Sequence, residues 1–205
     1  ADFNKLYPFI KVDYWRGEGE AVAAKFEAAG VANRPLADVI HTGDAPQYPR
    51  WRKLGWIEKF THIIPDIKRI EKRMYSKYGD TFNPGNNAIV PMYNTKLVSA
   101  AEAPKRWEDL LDPKWKGQQI GMTTDMKVWC TLALAGGWGV EKTEQFLLRL
   151  KEQKPLVVRG FSEGHSLLIA GEFKVMAYDY LYHVFNSKKK GAPVEWVRVS
   201  PVPVA

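Results

Sequence analysis

The sequence predicts an α/β protein built around an open sheet. Strand-like and helix-like stretches alternate along nearly the whole chain, which is the pattern of a parallel sheet with covering helices. The composition, 45% hydrophobic and 26% charged, is globular, and no run of about 18 uncharged apolar residues could span a membrane. The length of 205 residues predicts one large domain or two small lobes.

The first part of the chain contains a strand-loop-helix-strand unit. Phe9–Trp15 alternates apolar and polar residues and is rich in β-branched and aromatic types, so it is predicted to be a strand. The glycine loop Arg16–Glu20 precedes the helix formers of Ala21–Ala29. Ala37–His41 is the second predicted strand, followed by the loop Thr42–Asp44. Such a unit builds a parallel sheet.

The remaining elements follow from periodicity and from turn residues. Strands are predicted at Ala88–Tyr93, Gln119–Met122, Pro155–Val158, Phe173–Tyr180 and Val194–Val199. Helices are predicted at Pro65–Tyr78, near Pro104–Leu111, and at Met126–Ala135, Val140–Glu152 and His165–Ala170. Asp125 is placed to cap the helix that begins at Met126.

Charge and cysteine content exclude several classes of protein. The net charge of +7 raises the question of nucleic acid, but the lysines are dispersed and no arginine-aromatic stripe is present, so we expect a solvated surface and no nucleic-acid partner. The single cysteine, Cys130, excludes an internal disulfide framework and a multi-cysteine zinc site, and its place within a helix predicts buried packing. The chain shows no signal segment and begins at Ala1, which predicts a processed product or a fragment.

Motifs of the common enzyme classes are missing. The sequence has no Gly-x-Ser-x-Gly elbow, no phosphate loop ending in Gly-Lys-Ser/Thr, and no His-Glu-x-x-His pair. The glycine loop lacks the third glycine of a dinucleotide fingerprint, because position 22 is Val. The four histidines are scattered, and each is more often a surface or hydrogen-bonded residue than a ligand. We therefore expect no catalytic residue and no resident cofactor.

The loops after the predicted strands are the candidate binding sites, because ligands of open α/β sheets lie beyond the carboxyl ends of the strands. The first glycine loop and Thr123–Asp125 place backbone amides at helix starts, which favours anions, although both also suit ordinary turns and caps. Arg159 could grip a carboxylate or phosphate with two hydrogen bonds, or be an ordinary surface residue. The candidate ligand-binding residues are Arg16, Gly17, Gly19, Thr42, Gly43, Thr123, Thr124, Asp125, Arg159, Ser162, His165, Ser166, Tyr178 and Tyr180.

The run Tyr178–His183 closes the strand that begins at Phe173. Phenolate, carboxylate and imidazole groups are ligands of a hard metal such as ferric iron, so Tyr178 and Tyr180 are candidate metal ligands. The same tyrosines could line an aromatic pocket or belong to the core. A tyrosine ligand needs a strong cation close by, since its ordinary pKa is about 10.

Several stretches resemble the extracellular solute-binding proteins of bacterial ABC importers, in the branch for iron(III), polyamines and phosphonates. The most specific are the Tyr-Asn-Thr-Lys of Tyr93–Lys96 and the Trp-Glu-Asp-Leu-Leu-Asp-Pro-Lys-Trp-Lys-Gly of Trp107–Gly117. Tyr7–Glu20 and Pro35–Ile40 are similar to that family's second and third strands, with the glycine loop between them. Gly171–Phe173 and Lys190–Trp196 also fit, and the resemblance covers nearly the whole chain.

The resemblance implies the two-lobe periplasmic-binding-protein type II fold, in which lobe closure around a solute is recognised by a membrane permease. It places lobe one at residues 1–88, a crossover strand at 89–94, lobe two at 95–195 and a return strand at 196–205. It implies a periplasmic receptor for an anion, a ferric ion or complex, or an organic cation. Iron would be transported cargo. The loops at Thr123–Asp125 and Ser162–Ser166 are implied as contacts to an anionic solute.

The chain departs from the family pattern in two ways. The family's iron binders carry an adjacent tyrosine pair, whereas Asp179 separates Tyr178 from Tyr180. The family's first strand and helix and its C-terminal helices have no counterpart here, which predicts an incomplete lobe one with exposed apolar surface and self-association through it. Two alternatives stay open: an effector-binding regulatory domain and an enzyme on the same scaffold.

Overall fold

The computed structural model describes residues 3–17, 19–43, 47–64, 67–134 and 137–204. Glu18, Asp44, Pro65 and Ala135, which belong to predicted loops or bound predicted helices, lie outside those ranges. The chain forms two compact units, Ala1–Pro84 and Gly85–Ala205, each described by itself below. The element pattern is α/β, as predicted.

The first unit is helical where it is regular. Its helices are α1 (Phe3–Leu6), α2 (Gly19–Val31) and α3 (Tyr48–Lys53), and α2 confirms the helix predicted after the glycine loop. Trp51 on α3 is fully buried against the ring of Phe26 on α2, with the ring centroids 4.8 Å apart. The Trp51 indole N–H donates to Glu27 Oε1 at 2.9 Å. Trp51, together with the ion pair between Arg50 Nη1 and Glu27 Oε2 at 2.9 Å, therefore joins α2 to α3.

Both strands predicted in this unit were wrong. Residues 10–17 and 34–42 have no regular structure in the described part of the chain. Phe9, Tyr14 and Val39 are more than 80% exposed. A strand requires a neighbour that takes up its backbone hydrogen bonds, and the described residues of this unit contain only the isolated bridge between Tyr75 and Phe82. The expected exposure of apolar surface is present, and self-association through that surface stays a prediction.

The long helix predicted from Pro65 to Tyr78 was also wrong. The described residues form two short 3₁₀ turns, Ile67–Arg69 and Lys72–Met74, before the bridge at Tyr75. Beyond them, Asp80 accepts hydrogen bonds from Ser76 Oγ at 2.7 Å and from Arg52 Nη2 at 3.0 Å, and also pairs with Arg52 Nε. This ion pair ties α3 to the chain after the turns.

The second unit contains a five-stranded mixed sheet. Its strands are β1 (Ile89–Asn94), β2 (Ile120–Thr123), β3 (Leu156–Val158), β4 (Val175–Tyr180) and β5 (Val194–Trp196), in the spatial order β3-β2-β4-β1-β5. β2 runs parallel to β3 and β4, whereas β1 runs antiparallel to β4 and β5. All five strands confirm predicted ones. In the described residues after β5, Val204 forms an isolated bridge with Ala88, and the Val197 N–H donates to Pro91 O of β1 at 2.8 Å.

In the part of the second unit that the structure describes, four α-helices accompany this sheet: α4 (Lys127–Leu134), α5 (Val140–Glu152), α6 (Phe161–Ala170) and α7 (Leu181–Lys188). The first three confirm predicted helices, whereas α7 was missed. The predicted helix near Pro104–Leu111 is a 3₁₀ segment, Trp107–Leu111, followed by a second at Pro113–Trp115.

Two glycines allow close packing in the second unit. A Cβ on Gly121 of β2 would lie 2.2 Å from the Phe173 ring, and one on Gly164 of α6 would lie 2.6 Å from Met176 of β4. Phe173 and Met176 are both buried. The absence of a side chain at Gly164 lets α6 pack closely against β4, and the absence of one at Gly121 leaves room for the Phe173 ring beside β2.

The position of Cys130 corrects a prediction. Cys130 is exposed, because α4 buries Val128, Trp129 and Leu132 and turns the cysteine to its other side. Within the described residues, no helix is long and apolar enough to cross a membrane.

Candidate functional site

The parallel strands of the second unit end side by side. Thr123 pairs with Val158 at the ends of β2 and β3, and β4 continues on the other side of β2 to Tyr180. The residues that follow, Thr124 and Arg159, therefore emerge from neighbouring strands about 4.8 Å apart. We call this region the carboxyl edge and define it by Thr124, Asp125, Arg159, Ser162 and Tyr180. Open α/β sheets bind ligands at such edges.

The loop after β2 is held by hydrogen bonds to a buried tyrosine. The Tyr178 hydroxyl accepts from Thr123 Oγ1 at 3.1 Å and faces the carbonyl oxygens of Thr123 and Asp125 at 2.7 and 2.8 Å. The Asp125 carboxylate accepts from the Lys127 backbone N–H at 2.8 Å, which confirms its predicted role at the start of α4. Thr124, between them, is exposed. Hydrogen bonds thus hold the loop at Thr123 and Asp125, and Thr124 between them is accessible to a solute.

Tyr178 has no exposed surface, and burial raises the pKa of its phenol to about 12. A metal-bound tyrosine has to lose its proton and turn its oxygen to the ion. The Tyr178 oxygen is instead enclosed by hydrogen-bonding partners of its own unit. Tyr178 therefore acts as a support for the loop after β2, and its predicted roles as a solute ligand and as a metal ligand need correction.

Arg159 follows β3 and is exposed at the carboxyl edge. Its backbone N–H donates to Glu163 Oε2 at 2.9 Å. Glu163 lies in the first turn of α6, so this hydrogen bond holds the chain between the end of β3 and the start of α6 in place. The Arg159 guanidinium forms no hydrogen bond or ion pair with any residue that the structure describes. Ser162, also exposed, stands in the first turn of α6, where backbone N–H groups have no partner inside the helix.

His165 points away from this edge, contrary to prediction, whereas Ser166 is exposed one turn beyond Ser162. His165 lies on the inner side of α6 and is 7% exposed, with Nδ1 2.9 Å from Asp179 Oδ2. The Ser166 hydroxyl donates back to Ser162 O at 2.9 Å, one turn into the helix. The 3.6-residue period explains both positions, because residues 162 and 166 share one face and residue 165 takes the next.

Aromatic rings continue the edge beyond β4. Tyr180 is partly buried and lies 4.5 Å from the Phe161 ring, centroid to centroid. Tyr182 stacks on Tyr180 at 5.5 Å with an interplanar angle of 20°. Tyr182 was not among the predicted site residues, although the alternation Tyr178, Tyr180, Tyr182 placed it in the same run. The rings form an apolar wall beside the polar loops.

The remaining candidates lie in the first unit. Gly19 begins α2, and a Cβ there would stand 3.5 Å from Thr42 Oγ1, so the two predicted loops do meet. Thr42 is buried, and its carbonyl accepts from the Tyr48 hydroxyl at 2.8 Å. Arg16, Gly17 and Gly43 are exposed. The Trp15 ring lies against Gly17, where a Cβ would come within 2.7 Å of it.

A family model for bacterial extracellular solute-binding proteins matches residues 34–195 of the chain. The chain belongs to the bacterial extracellular solute-binding protein family. This membership confirms the resemblance read from the motifs at Tyr93–Lys96 and Trp107–Gly117. An uncharacterized protein of Haemophilus influenzae is 28% identical over an alignment of 205 positions, which covers 95% of this chain and 58% of the relative.

Three solved structures illustrate the fold that this solute-binding protein shares. Iron-bound HitA from Pseudomonas aeruginosa is 23% identical, with a TM-score of 0.73 over 96% of this chain and 63% of HitA. AfuA from Actinobacillus pleuropneumoniae, with fructose-6-phosphate bound, is 22% identical, with a TM-score of 0.73 over 99% of this chain and 65% of AfuA. IdiA (FutA) from Trichodesmium, with iron and citrate, is 21% identical, with a TM-score of 0.63 over 96% of this chain and 64% of IdiA.

These similarities confirm the predicted type II periplasmic-binding fold. The chain spans less than two thirds of the length of each relative described here. The 205 residues therefore correspond to part of the two-lobe fold.

Proposed function

We propose that the protein is the solute receptor of a bacterial ABC importer and that it captures a small organic anion, such as a phosphate ester or a polycarboxylate. The membership of the family supports a binding function, and the carboxyl edge of the second unit supports the choice of an anion. A permease in the inner membrane is the proposed partner, and the periplasm is the proposed location.

The observation that carries this proposal is the state of Arg159. Arg159 is exposed at the carboxyl edge, and its guanidinium forms no hydrogen bond or ion pair with any described residue. Arginine binds carboxylate and phosphate oxygens with two parallel hydrogen bonds. The exposed Thr124 and Ser162, with the amides of the first turn of α6, add donors beside it.

The buried state of Tyr178 argues against a bare ferric ion held by Tyr178 and Tyr180. Its hydroxyl already serves the loop after β2. A ferric complex that is bound through its organic anion would use the same donors as the organic anion alone. HitA and IdiA carry iron in their structures, and AfuA carries a sugar phosphate, so both kinds of solute belong in the test.

A binding protein is favoured over an enzyme by the contents of the carboxyl edge. Asp125 of this edge and Glu163 in the first turn of α6 are carboxylates suited to general base catalysis, and each accepts a hydrogen bond from a backbone N–H group at a helix start. A nucleophile paired with a base is not found among the described residues of this edge. A regulatory domain of the same fold would bind its effector with the same residues, and binding to a permease distinguishes the two.

The experiment is a calorimetric titration of the full-length protein with fructose 6-phosphate, citrate, ferric citrate and spermidine. We expect one of the anions to bind and spermidine not to bind. Arg159→Met should weaken the anion about 10- to 150-fold, the equivalent of about 1.5–3 kcal/mol for a lost charge-assisted contact. Arg149→Met, at an exposed position on α5, is the matched control and should bind as the wild type does.

Binding of spermidine in preference to every anion would overturn the choice of solute class. Equal affinity of Arg159→Met and Arg149→Met for the bound anion would overturn the role of Arg159. A failure of all four solutes to bind would count against the receptor function in the form proposed.

A further inference from the structure

Behind the carboxyl edge, three side chains converge in the interior of the second unit. His165 Nδ1 lies 2.9 Å from Asp179 Oδ2, and His183 Nδ1 lies 2.8 Å from Asp179 Oδ1. The exposed fractions of the His165, Asp179 and His183 side chains are 8%, 0% and 15%. We call these three residues the histidine-aspartate cluster. It is the one group of this kind found among the described residues.

Each member of the cluster comes from a different element. His165 stands in the second turn of α6, Asp179 near the end of β4, and His183 in the first turn of α7. The potential ligand atoms all lie within 4.8 Å of one another. The cluster thus joins three consecutive elements at one point below the surface.

The chemistry of the cluster is that of a metal site. Two imidazoles and one carboxylate are a common ligand set for zinc and similar divalent ions. A tetrahedral ion with bonds of about 2.0–2.1 Å holds its ligand atoms about 3.3 Å apart. The two hydrogen-bonded pairs would therefore need to open by about half an ångström. With neutral histidines the cluster carries one negative charge, which a divalent cation would offset.

The side chains of the cluster are also held by hydrogen bonds to neighbouring groups, as the ligands of a metal site usually are. The far nitrogen of His165, Nε2, lies 2.8 Å from Ser187 Oγ on α7. Asp179 Oδ1 accepts from the Tyr180 backbone N–H at 2.7 Å. Metal-binding histidines usually hydrogen-bond through their other ring nitrogen, and ligating carboxylates are themselves held in this way. His183 is the most accessible member, and the Tyr182 ring packs edge-on against it at 4.4 Å.

We propose that the histidine-aspartate cluster binds one divalent ion of the zinc class through His165 Nδ1, His183 Nδ1 and the Asp179 carboxylate. Each imidazole binds the ion as its neutral Nε2–H tautomer: the proton on Nδ1 is released and Nε2 takes one up, so no proton is lost overall. Water completes the coordination of the ion. The site is separate from the proposed solute site. Its effect is to fasten α6, β4 and α7 together directly behind Ser162 and Tyr180 of the carboxyl edge.

The test is a titration of chelator-treated full-length protein with Zn²⁺ and, in parallel, with Co²⁺ followed by visible absorption. We expect about one equivalent of Zn²⁺ to bind, with a rise in the thermal midpoint, and Co²⁺ to give the absorption bands of a low-coordinate nitrogen-oxygen site. Asp179→Asn and His183→Gln should each weaken Zn²⁺ at least tenfold. Ser187→Ala, which leaves all three ligands in place, should weaken it about 10-fold.

His62→Gln is the matched control, because His62 is exposed in the first unit, and it should bind Zn²⁺ as the wild type does. The Co²⁺ spectrum of the wild type decides the question even if a cluster variant fails to fold. Absence of Zn²⁺ and Co²⁺ binding to the wild type would overturn the proposal. Loss of binding in His62→Gln, with the cluster variants unaffected, would also overturn it.

Discussion

Replacement of Tyr178 by Phe removes one buried hydroxyl from the loop after β2. The hydroxyl contacts Thr123 Oγ1 and the carbonyl oxygens of Thr123 and Asp125. Its loss leaves buried polar atoms without that partner, which costs about 1–3 kcal/mol of unfolding free energy at neutral pH. The loop that carries Thr124 should also loosen.

The dependence of the free energy of unfolding on alkaline pH gives a second, independent estimate of what Tyr178 contributes. The folded pKa of Tyr178 is raised from 10.0 to about 12 because burial disfavours the phenolate. The contribution of the neutral Tyr178 phenol to the free energy of unfolding is complete below pH 10. It is lost as the pH rises from 10 to 12, because the phenol of the unfolded chain loses its proton at a lower pH than the phenol of the folded chain. Two pKa units correspond to about 2.7 kcal/mol. The stability difference between wild type and Tyr178→Phe should therefore shrink by about 1.4 kcal/mol for each pH unit in this window.

The assay is the urea unfolding of the full-length protein at pH 8, 10 and 11, monitored by circular dichroism. Tyr182→Phe, at a partly exposed position on α7, is the control and should keep the alkaline loss of the wild type. A wild-type-minus-variant difference that is the same at pH 8 and pH 11 would refute the claim that the fold keeps Tyr178 neutral.

Two further predictions concern packing and charge. In the first unit, the hydrogen bond from Arg52 lowers the pKa of Asp80, so Asp80 stabilises the fold above pH ~4 and this contribution is lost as the pH falls below that value. Asp80→Asn should lower the free energy of unfolding by about 1.5–3 kcal/mol at pH 7, and the stability of the variant should fall less steeply than that of the wild type below pH ~4. An equally steep fall in the two proteins would contradict this. In the second unit, Gly121→Ala should cost about 1–3 kcal/mol in urea unfolding because its Cβ would meet Phe173, whereas Gly43→Ala, with open space around it, should cost little. Equal costs for the two glycine variants would show that the Phe173 contact does not matter.

The strands of the second unit could be predicted because their signals are local. β1 and β4 are short apolar runs between turn residues, and both are buried along almost their entire length. The strand signals at Phe9–Trp15 and Ala37–His41 were equally strong. They failed because a strand is completed by a neighbour, and side-chain pattern says nothing about whether a neighbour is present.

The sequence predicted which loops form the candidate site, but it did not predict in which direction the individual side chains of the site point. The sequence located the loops at Thr124 and Arg159, since both follow predicted strands. It could not tell that His165 and Tyr178 point inward, because a polar side chain turns away from solvent only when tertiary partners satisfy it. The partners are Asp179 for His165, and Thr123 and Asp125 for Tyr178. α7 was missed because its first turn continues the aromatic run of β4.

The central claim is that the carboxyl edge of the second unit binds the anion. The most direct test is an amide NMR titration of the full-length protein with the anion that binds in calorimetry. The largest shifts should fall on the backbone amides of Thr124, Asp125, Ser162 and Glu163. Shifts concentrated instead around the open basic pocket lined by Lys59, Lys72 and Lys77 in the first unit would contradict the claim.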